Sequence, residues 1–220
     1  MITTKGSREM RGALRTMVRT QLAARDITDR RVLAAMATVP RADFVPRMMR
    51  PRAYDDGPLP IGHDQTISQP YIVALMTQLA GITRHARVLE VGTGSGYQTA
   101  VLARLAAHVW SVERIPALME TAAKILRHLA VHNVTLVSGD GAAGYGPAAP
   151  YDAIVVTAAA PAVPRTLVEQ LGPHGRLVIP VGDRELQHLW VVGREGERIR
   201  HREACAVRFV PLVSPTAFDG

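Results

Sequence analysis

The chain has 220 residues, enough for one α/β domain with a sizeable core, and its 47% apolar and 20% charged residues are ordinary globular usage. A single cysteine, Cys205, excludes an internal disulfide and a zinc site built from several thiolates. The net charge of +7 is uneven: residues 1–52 hold Lys5 and eleven arginines against Glu9, Asp26, Asp29 and Asp43, a net of +8, and the rest of the chain is near neutral. Such a basic arm suits a solvated helical surface, nucleic acid or acidic protein substrates. The opening MITTKGSREMRG lacks the apolar stretch of a secretory signal, and no apolar run nears the ~20 residues of a membrane span. A soluble cytoplasmic protein is therefore expected.

Residues 7–38 have helical spacing, with Met10, Leu14, Met17, Val18 and Leu22 on one stripe. Asp29 is placed to cap a second helix carrying Val32, Leu33 and Met36. Pro40 and Pro46 break that pattern, and residues 51–70, rich in proline, glycine and aspartate, read as an ordered loop. From residue 86 strands and helices alternate. Strands are predicted at 87–91, 109–113, 134–138, 153–157 and 177–181, with helices at 97–107, 116–131 and 164–171 between them. Residues 186–193 and 204–213 read as a closing antiparallel pair, joined by a charged turn over 194–202. Alternation of this kind gives a mostly parallel sheet with helices on both faces, here of seven strands. Ligands bind such sheets beyond the carboxyl ends of the strands, which selects the loops after residues 91, 113, 139 and 157.

The first of those loops is Gly92-Thr93-Gly94-Ser95-Gly96, between the strand RVLEV and the helix YQTAVLARLAA. Glycines there allow close approach of a ligand to the backbone, and the helix start supplies unpaired N–H groups. The spacing is not that of a phosphate loop, since no Gly-Lys-Ser/Thr follows, and Tyr97 stands where a dinucleotide fingerprint needs glycine. Three acids accompany the loop. Glu90 lies inside the first strand, where a carboxylate is costly unless it meets a cation or donors. Glu113 ends the second strand and suits ribose hydroxyls, and Asp140 follows the third and suits an adenine amino group. The implied ligand carries a cationic amine, a ribose and an adenine but needs no pyrophosphate. S-adenosylmethionine fits that description better than NAD.

More specific segments surround this loop: Val39-Pro40-Arg41, Phe44-Val45-Pro46, Pro58-Leu59-Pro60-Ile61-Gly62, Gln65-Thr66-Ile67-Ser68-Gln69-Pro70, Gly139-Asp140-Gly141, YDAIVVTAAAP, LGPHGRLVIPVG and Val207-Arg208-Phe209-Val210-Pro211-Leu212. In this order, over residues 39–213, the chain resembles the protein-L-isoaspartate (D-aspartate) O-methyltransferases. The resemblance implies a Rossmann-like class I S-adenosylmethionine methyltransferase. It divides one domain, 1–220, into a basic helical extension (1–52), a covering loop and helix (53–85) and a core closed by an antiparallel hairpin (86–220). It implies methylation of the free α-carboxylate of isoaspartyl residues in damaged proteins, and a succinimide that forms afterwards and starts repair. Ser68 takes the place of the family's active-site serine. The cofactor falls to Thr66, Ile67, Ser68, Gln69, Glu90, Gly92, Thr93, Gly94, Ser95, Gly96, Glu113, Arg114, Asp140 and Gly141, with no metal. A monomer without nucleic-acid or membrane partners is expected.

One position departs from the family. Many bacterial members read I-G-x-G-Q-T-I-S, whereas here Asp64 replaces the second glycine. Aspartate tolerates positive φ better than most residues, but it brings a negative charge toward a pocket meant for a carboxylate. That departure leaves room for a carboxyl methyltransferase acting on a dedicated biosynthetic peptide. The basic arm leaves room for a nucleic-acid methyltransferase, although no Asn/Asp-Pro-Pro-Tyr/Phe segment is present. A non-catalytic cofactor-binding module is the alternative of another class.

Overall fold

A computed structural model describes residues 4–196 and 198–214. Residues 1–3 of the expected arm, Glu197 in the expected turn and residues 215–220 of the expected core lie outside the described residues.

The sheet has seven strands: β3 (Arg87–Val91), β4 (His108–Glu113), β5 (Val134–Ser138), β6 (Tyr151–Val156), β7 (Leu171–Gly182), β8 (Gln187–Glu195) and β9 (Arg198–Val207). Their order is β5-β4-β3-β6-β7-β8-β9. The first four pairings are parallel and the last two antiparallel. Central strands are apolar on both faces because both faces are covered. Val88, Ala153, Val155 and Val178 point to one side, and Leu89, Ile154, Val156 and Leu177 to the other.

Helices α3 (Pro70–Ala80), α4 (Tyr97–Ala103) and α5 (Pro116–His128) cover the first face. The N-terminal helices α1 (Thr4–Met17) and α2 (Arg30–Thr38) pack outside them, burying Leu14, Met17, Val32 and Met36 in the same core. A π-helical turn over Val18–Ala23 extends α1 and buries Leu22. Asp29 caps α2 by accepting from the Arg31 N–H. The second face carries α6 (Arg165–Glu169) and short 3-10 turns between residues 141 and 148.

One charged residue of the extension is fully buried. Arg41 donates through Nε to the Ala53 carbonyl (2.8 Å) and through Nη2 to that of Gly57 (3.3 Å), and its guanidinium lies over the Tyr97 ring at 5.1 Å. Burial lowers its pKa to about 10, and no carboxylate compensates it.

Three expectations change. Residues 51–70 are not all loop: β1 (Leu59–Gly62) and β2 (Gln65–Ile67) form a hairpin. Pro58 and Pro60 hide a strand this short, since proline is tolerated only at a sheet edge. The expected helix over 164–171 stops at Glu169, and β7 starts at Leu171, six residues before the predicted strand. Gly172, Pro173 and Gly175 occupy a stretch where the register with β6 shifts, an irregularity that masks strand periodicity. The charged stretch 194–202 is mostly strand, with Glu195 paired to Arg198, while the chain beyond Val207 leaves the sheet. β9 is an edge strand, and residues 198–203 are all exposed, so it needs no apolar alternation.

Candidate active site

The chain reverses sheet direction between β3 and β6, and a cavity of about 380 Å³ opens at the carboxyl ends of β3, β4 and β6. This is where a doubly wound sheet leaves a crevice.

The floor is the glycine loop. Gly92 (φ 93°) donates to the Val112 carbonyl, and a side chain there would collide with the Thr157 hydroxyl, which itself donates to the Gly92 carbonyl at 2.7 Å. Gly94 (φ 52°) donates to Glu113 Oε2 at 2.8 Å, while Glu113 Oε1 accepts from the Ile115 N–H at 2.9 Å. Each carboxylate oxygen of Glu113 is thus held by one backbone N–H. An ionised carboxylate has about four lone-pair sites, so acceptor capacity remains for a pair of hydroxyls. Gly141 forms part of the side wall, where any larger residue would strike Val91.

The cover comes from Gln65, Thr66, Ile67 and Ser68, at β2 and its end, and from Val210–Val213. The Ser68 side chain is half-buried against the cavity and makes no hydrogen bond with any described residue. Arg114 closes one side, donating to the Val213 carbonyl at 3.2 Å.

Four of the expected residues stand outside the lining. Gln69 donates to Asp56 (2.8 Å) and precedes α3. Gly96 caps α4 with φ 85°. Asp140 caps a 3-10 turn through the Ala142 N–H and accepts from the Ser214 hydroxyl at 2.6 Å. Glu90 is sealed beneath the floor. Its Oε2 accepts from Thr99 (2.5 Å) and Ser111 (2.6 Å), and Oε1 has no partner among the described residues. Burial pushes its pKa up to about 8, against the pull of the two hydroxyls and with a smaller push from Glu113. Burial thus favours the neutral acid over the carboxylate. Among the described residues its hydrogen-bonded link to the cavity runs through Ser111, whose hydroxyl lies 2.6 Å from that of Thr93.

The remaining expected residues — Thr66, Ile67, Ser68, Gly92, Thr93, Gly94, Ser95, Glu113, Arg114 and Gly141 — come together around one space. Residue-level reasoning did not single out Tyr97, Gln98, Leu118 or Thr157, which also line it. The strand-end rule already pointed to Thr157. The other three sit on helices whose apolar pattern reads as core.

Asp64 has φ 57° and an exposed side chain that does not reach the cavity, and neighbouring His63 has φ 53°. The position does favour glycine, but the charge stays outside the pocket.

The donor set suits a particular ligand. Floor and side wall present a carboxylate, backbone groups and small hydroxyls, with Arg114 alone as a cation and no lysine. A nucleoside bearing a cationic side arm fits this, whereas a pyrophosphate would face Glu113 with Arg114 as the one cation in the lining.

Comparison with known proteins agrees with this geometry. The family model for Protein-L-isoaspartate(D-aspartate) O-methyltransferase (PCMT) matches residues 14–217. Relatives named protein-L-isoaspartate O-methyltransferase from Methanoregula boonei and Methanoculleus marisnigri are 54% and 55% identical over 205 residues. That is 93% of this chain, and 94% and 93% of theirs. A solved protein-L-isoaspartate O-methyltransferase superposes with a TM-score of 0.80 at 28% identity, over 93% of this chain and 66% of that longer one. A Plasmodium falciparum beta-aspartate methyltransferase in complex with S-adenosyl-L-homocysteine shares the fold, with a TM-score of 0.78 at 24% identity over 93% of this chain and 98% of that one. With a glycine-floored, acid-lined cavity under a Thr-Ile-Ser cover, and with identity above one half along nearly its whole length, the chain belongs to the protein-L-isoaspartate(D-aspartate) O-methyltransferase family.

Proposed function

We propose that this protein methylates the free α-carboxylate of L-isoaspartyl residues in damaged proteins and peptides, using S-adenosylmethionine, and so initiates their repair. The observation that carries the proposal is the pairing of an acid-lined floor with an unengaged hydroxyl, Ser68, on the opposite wall. When bound, the cofactor supplies an electrophilic methyl group on a sulfonium.

The chain's own residues do the rest by placement. Glu113 accepts from the ribose hydroxyls, with Gly94 and Ile115 fixing the carboxylate's orientation. Gly92 and Gly94 let the methionine arm approach the backbone. In this reading Asp140, beside Gly141 but outside the cavity lining, accepts from the adenine amino group. The substrate carboxylate is already a nucleophile, so no general base is needed, and alignment and exclusion of water supply the rate. Ser68 orients that carboxylate with a neutral donor. A strong cationic partner there would lower its nucleophilicity. Thr66, Ile67 and the 210–213 segment shut out water. The methyl ester then loses methanol to a neighbouring amide nitrogen without the enzyme, and hydrolysis of the resulting succinimide returns some normal aspartate. The active form in this reading is a cytoplasmic monomer without stable nucleic-acid or membrane partners. Among the described residues, no helix is long and apolar enough to cross a membrane.

The test uses matched peptides containing isoaspartate or aspartate and methyl-labelled cofactor. Label should enter only the isoaspartyl peptide. Ser68→Ala should cut turnover about tenfold or more, while the affinity for S-adenosylhomocysteine stays within about twofold. Equal labelling of both peptides defeats the proposal, and an unchanged rate removes Ser68 from its role. Asp64, the sequence feature that left room for a dedicated biosynthetic peptide, does not line the cavity, which supports the repair reading.

A further inference from the structure

The segment after β9 has two sides. It is strapped to the loop after β6: the Ala159 N–H donates to the Val210 carbonyl (2.8 Å), and the Leu212 N–H donates to the Ala159 carbonyl (2.7 Å). On one side Val210–Val213 close the cofactor cavity. On the other, Pro211 and Leu212 form a wall of a second cleft of about 470 Å³. One strand-like segment separates the two spaces.

The far wall of this cleft is the turn between β7 and β8. It is fixed to the strap by Gln187, which is 5% exposed. Gln187 Nε2 donates to the carbonyls of Asp183 (2.9 Å) and Phe209 (3.2 Å), and its Oε1 accepts from the Phe209 N–H (2.7 Å). A buried amide with three such bonds holds both walls in place.

The charges in the cleft are unbalanced. Asp183 also lines the cleft, and its Oδ1 accepts from the Glu185 and Leu186 N–H groups at 2.7 and 2.8 Å, so one carboxylate partly engaged with its own loop faces two arginines. Arg184 and Arg208 also line the cleft, both are exposed, and neither makes an ion pair with any described residue. Glu185 lies on the same turn but does not line the cleft. Two guanidinium groups are therefore available to a ligand, and guanidinium forks match carboxylates.

Pro211 and Leu212 line both spaces, so a substrate chain that leaves the cavity over the strap would enter this cleft. An extended chain advances about 3.3–3.6 Å per residue. With one segment between the spaces, the side chains to test are those a few positions from the reacting residue.

We propose that this cleft is a specificity subsite that takes an acidic side chain, aspartate or glutamate, flanking the isoaspartyl residue, held by Arg184 and Arg208. The inference rests on the isoaspartyl reading above and goes on to name which substrates are preferred.

The test compares three isoaspartyl peptides that differ only in glutamate, alanine or lysine at positions one to three residues from the isoaspartate, on either side. With the wild-type protein at low salt, KM should be about three- to tenfold lower for glutamate than for lysine at one or more positions, with alanine between. The difference should shrink at 0.5 M salt, because exposed charges are screened. In the double variant Arg184→Glu/Arg208→Glu the order should reverse. Each readout is a ratio between peptides on one protein, so a uniform loss of activity does not affect it. Equal KM values for all three peptides with the wild type overturn the subsite, and so does a glutamate preference that survives the charge reversal. Failure of the isoaspartyl reading looks different: the alanine peptide itself takes up no methyl group.

Discussion

The floor and the cover of the cavity are built differently. The floor belongs to the core: β3 and β4 are locked in a parallel pairing, and the glycine loop is tied to β4 by Val112 and Glu113 and to β6 by Thr157. The cover is a four-residue strand, a three-residue strand and a strapped tail, all outside a continuous ladder of the main sheet. Rigid parts hold the invariant half of the reaction, the cofactor. Short parts at the periphery meet a substrate that arrives within many different sequences.

If this division is right, a floor mutation should act on cofactor affinity and a cover mutation on turnover, as Ser68→Ala tests from the other side. Glu113→Gln exchanges an acceptor for a donor facing backbone N–H groups and should weaken binding of S-adenosylhomocysteine by about 10- to 100-fold, measured by calorimetry. A comparable loss of affinity in Ser68→Ala would erase the distinction.

A smaller effect probes the layer under the floor. The carboxyl of folded Glu90 titrates at about 8 against a reference of 4.5. The native state therefore holds a proton that the unfolded chain has released between those values. Stability due to this group is highest at and below pH 4.5 and declines as pH rises to about 8, by a few kcal/mol in all. Glu90→Gln should remove that decline, so denaturant unfolding at several pH values should show wild type and variant diverging as pH increases. Parallel curves would mean that Glu90 is ionised in the fold.

The smallest expected effect is in the cover. Asp64 holds φ 57°, which glycine adopts without strain, so Asp64→Gly should stabilise the protein by roughly 0.5 kcal/mol. A thermal melt should rise by a degree or two, with methylation kinetics unchanged because the exposed side chain does not line the cavity. A marked change in KM would place Asp64 in substrate contact.

Legibility in the sequence followed the same division. RVLEV-GTGSG and Glu113 were readable because strand, glycine turn and strand-end acid are consecutive or ruled by a repeating topology. Glu90 was readable as an anomaly, a charge in a buried strand, yet its direction was not: it turns to α4 and to Ser111 rather than into the cavity. The hairpin β1–β2 was hidden by its prolines, and β9 by its solvated charges, because both escape the apolar periodicity that marks a covered strand. The second cleft had no linear signal at all. Arg184 and Arg208 are 24 positions apart and line one cleft only because β8 runs away from the β7–β8 turn and antiparallel β9 brings the chain back to it.

Arg41 gives the extension a role that its charge count did not suggest. A guanidinium stays protonated in proteins, and this one has been taken out of water with two carbonyls and an aromatic face in place of a counter-ion. Both carbonyls belong to the segment just ahead of the hairpin that covers the active site. Hydration of Arg41 would take two anchors from the segment that leads into that hairpin. Through this one buried cation the extension braces the approach to the cover, with the Tyr97 ring between it and the cavity.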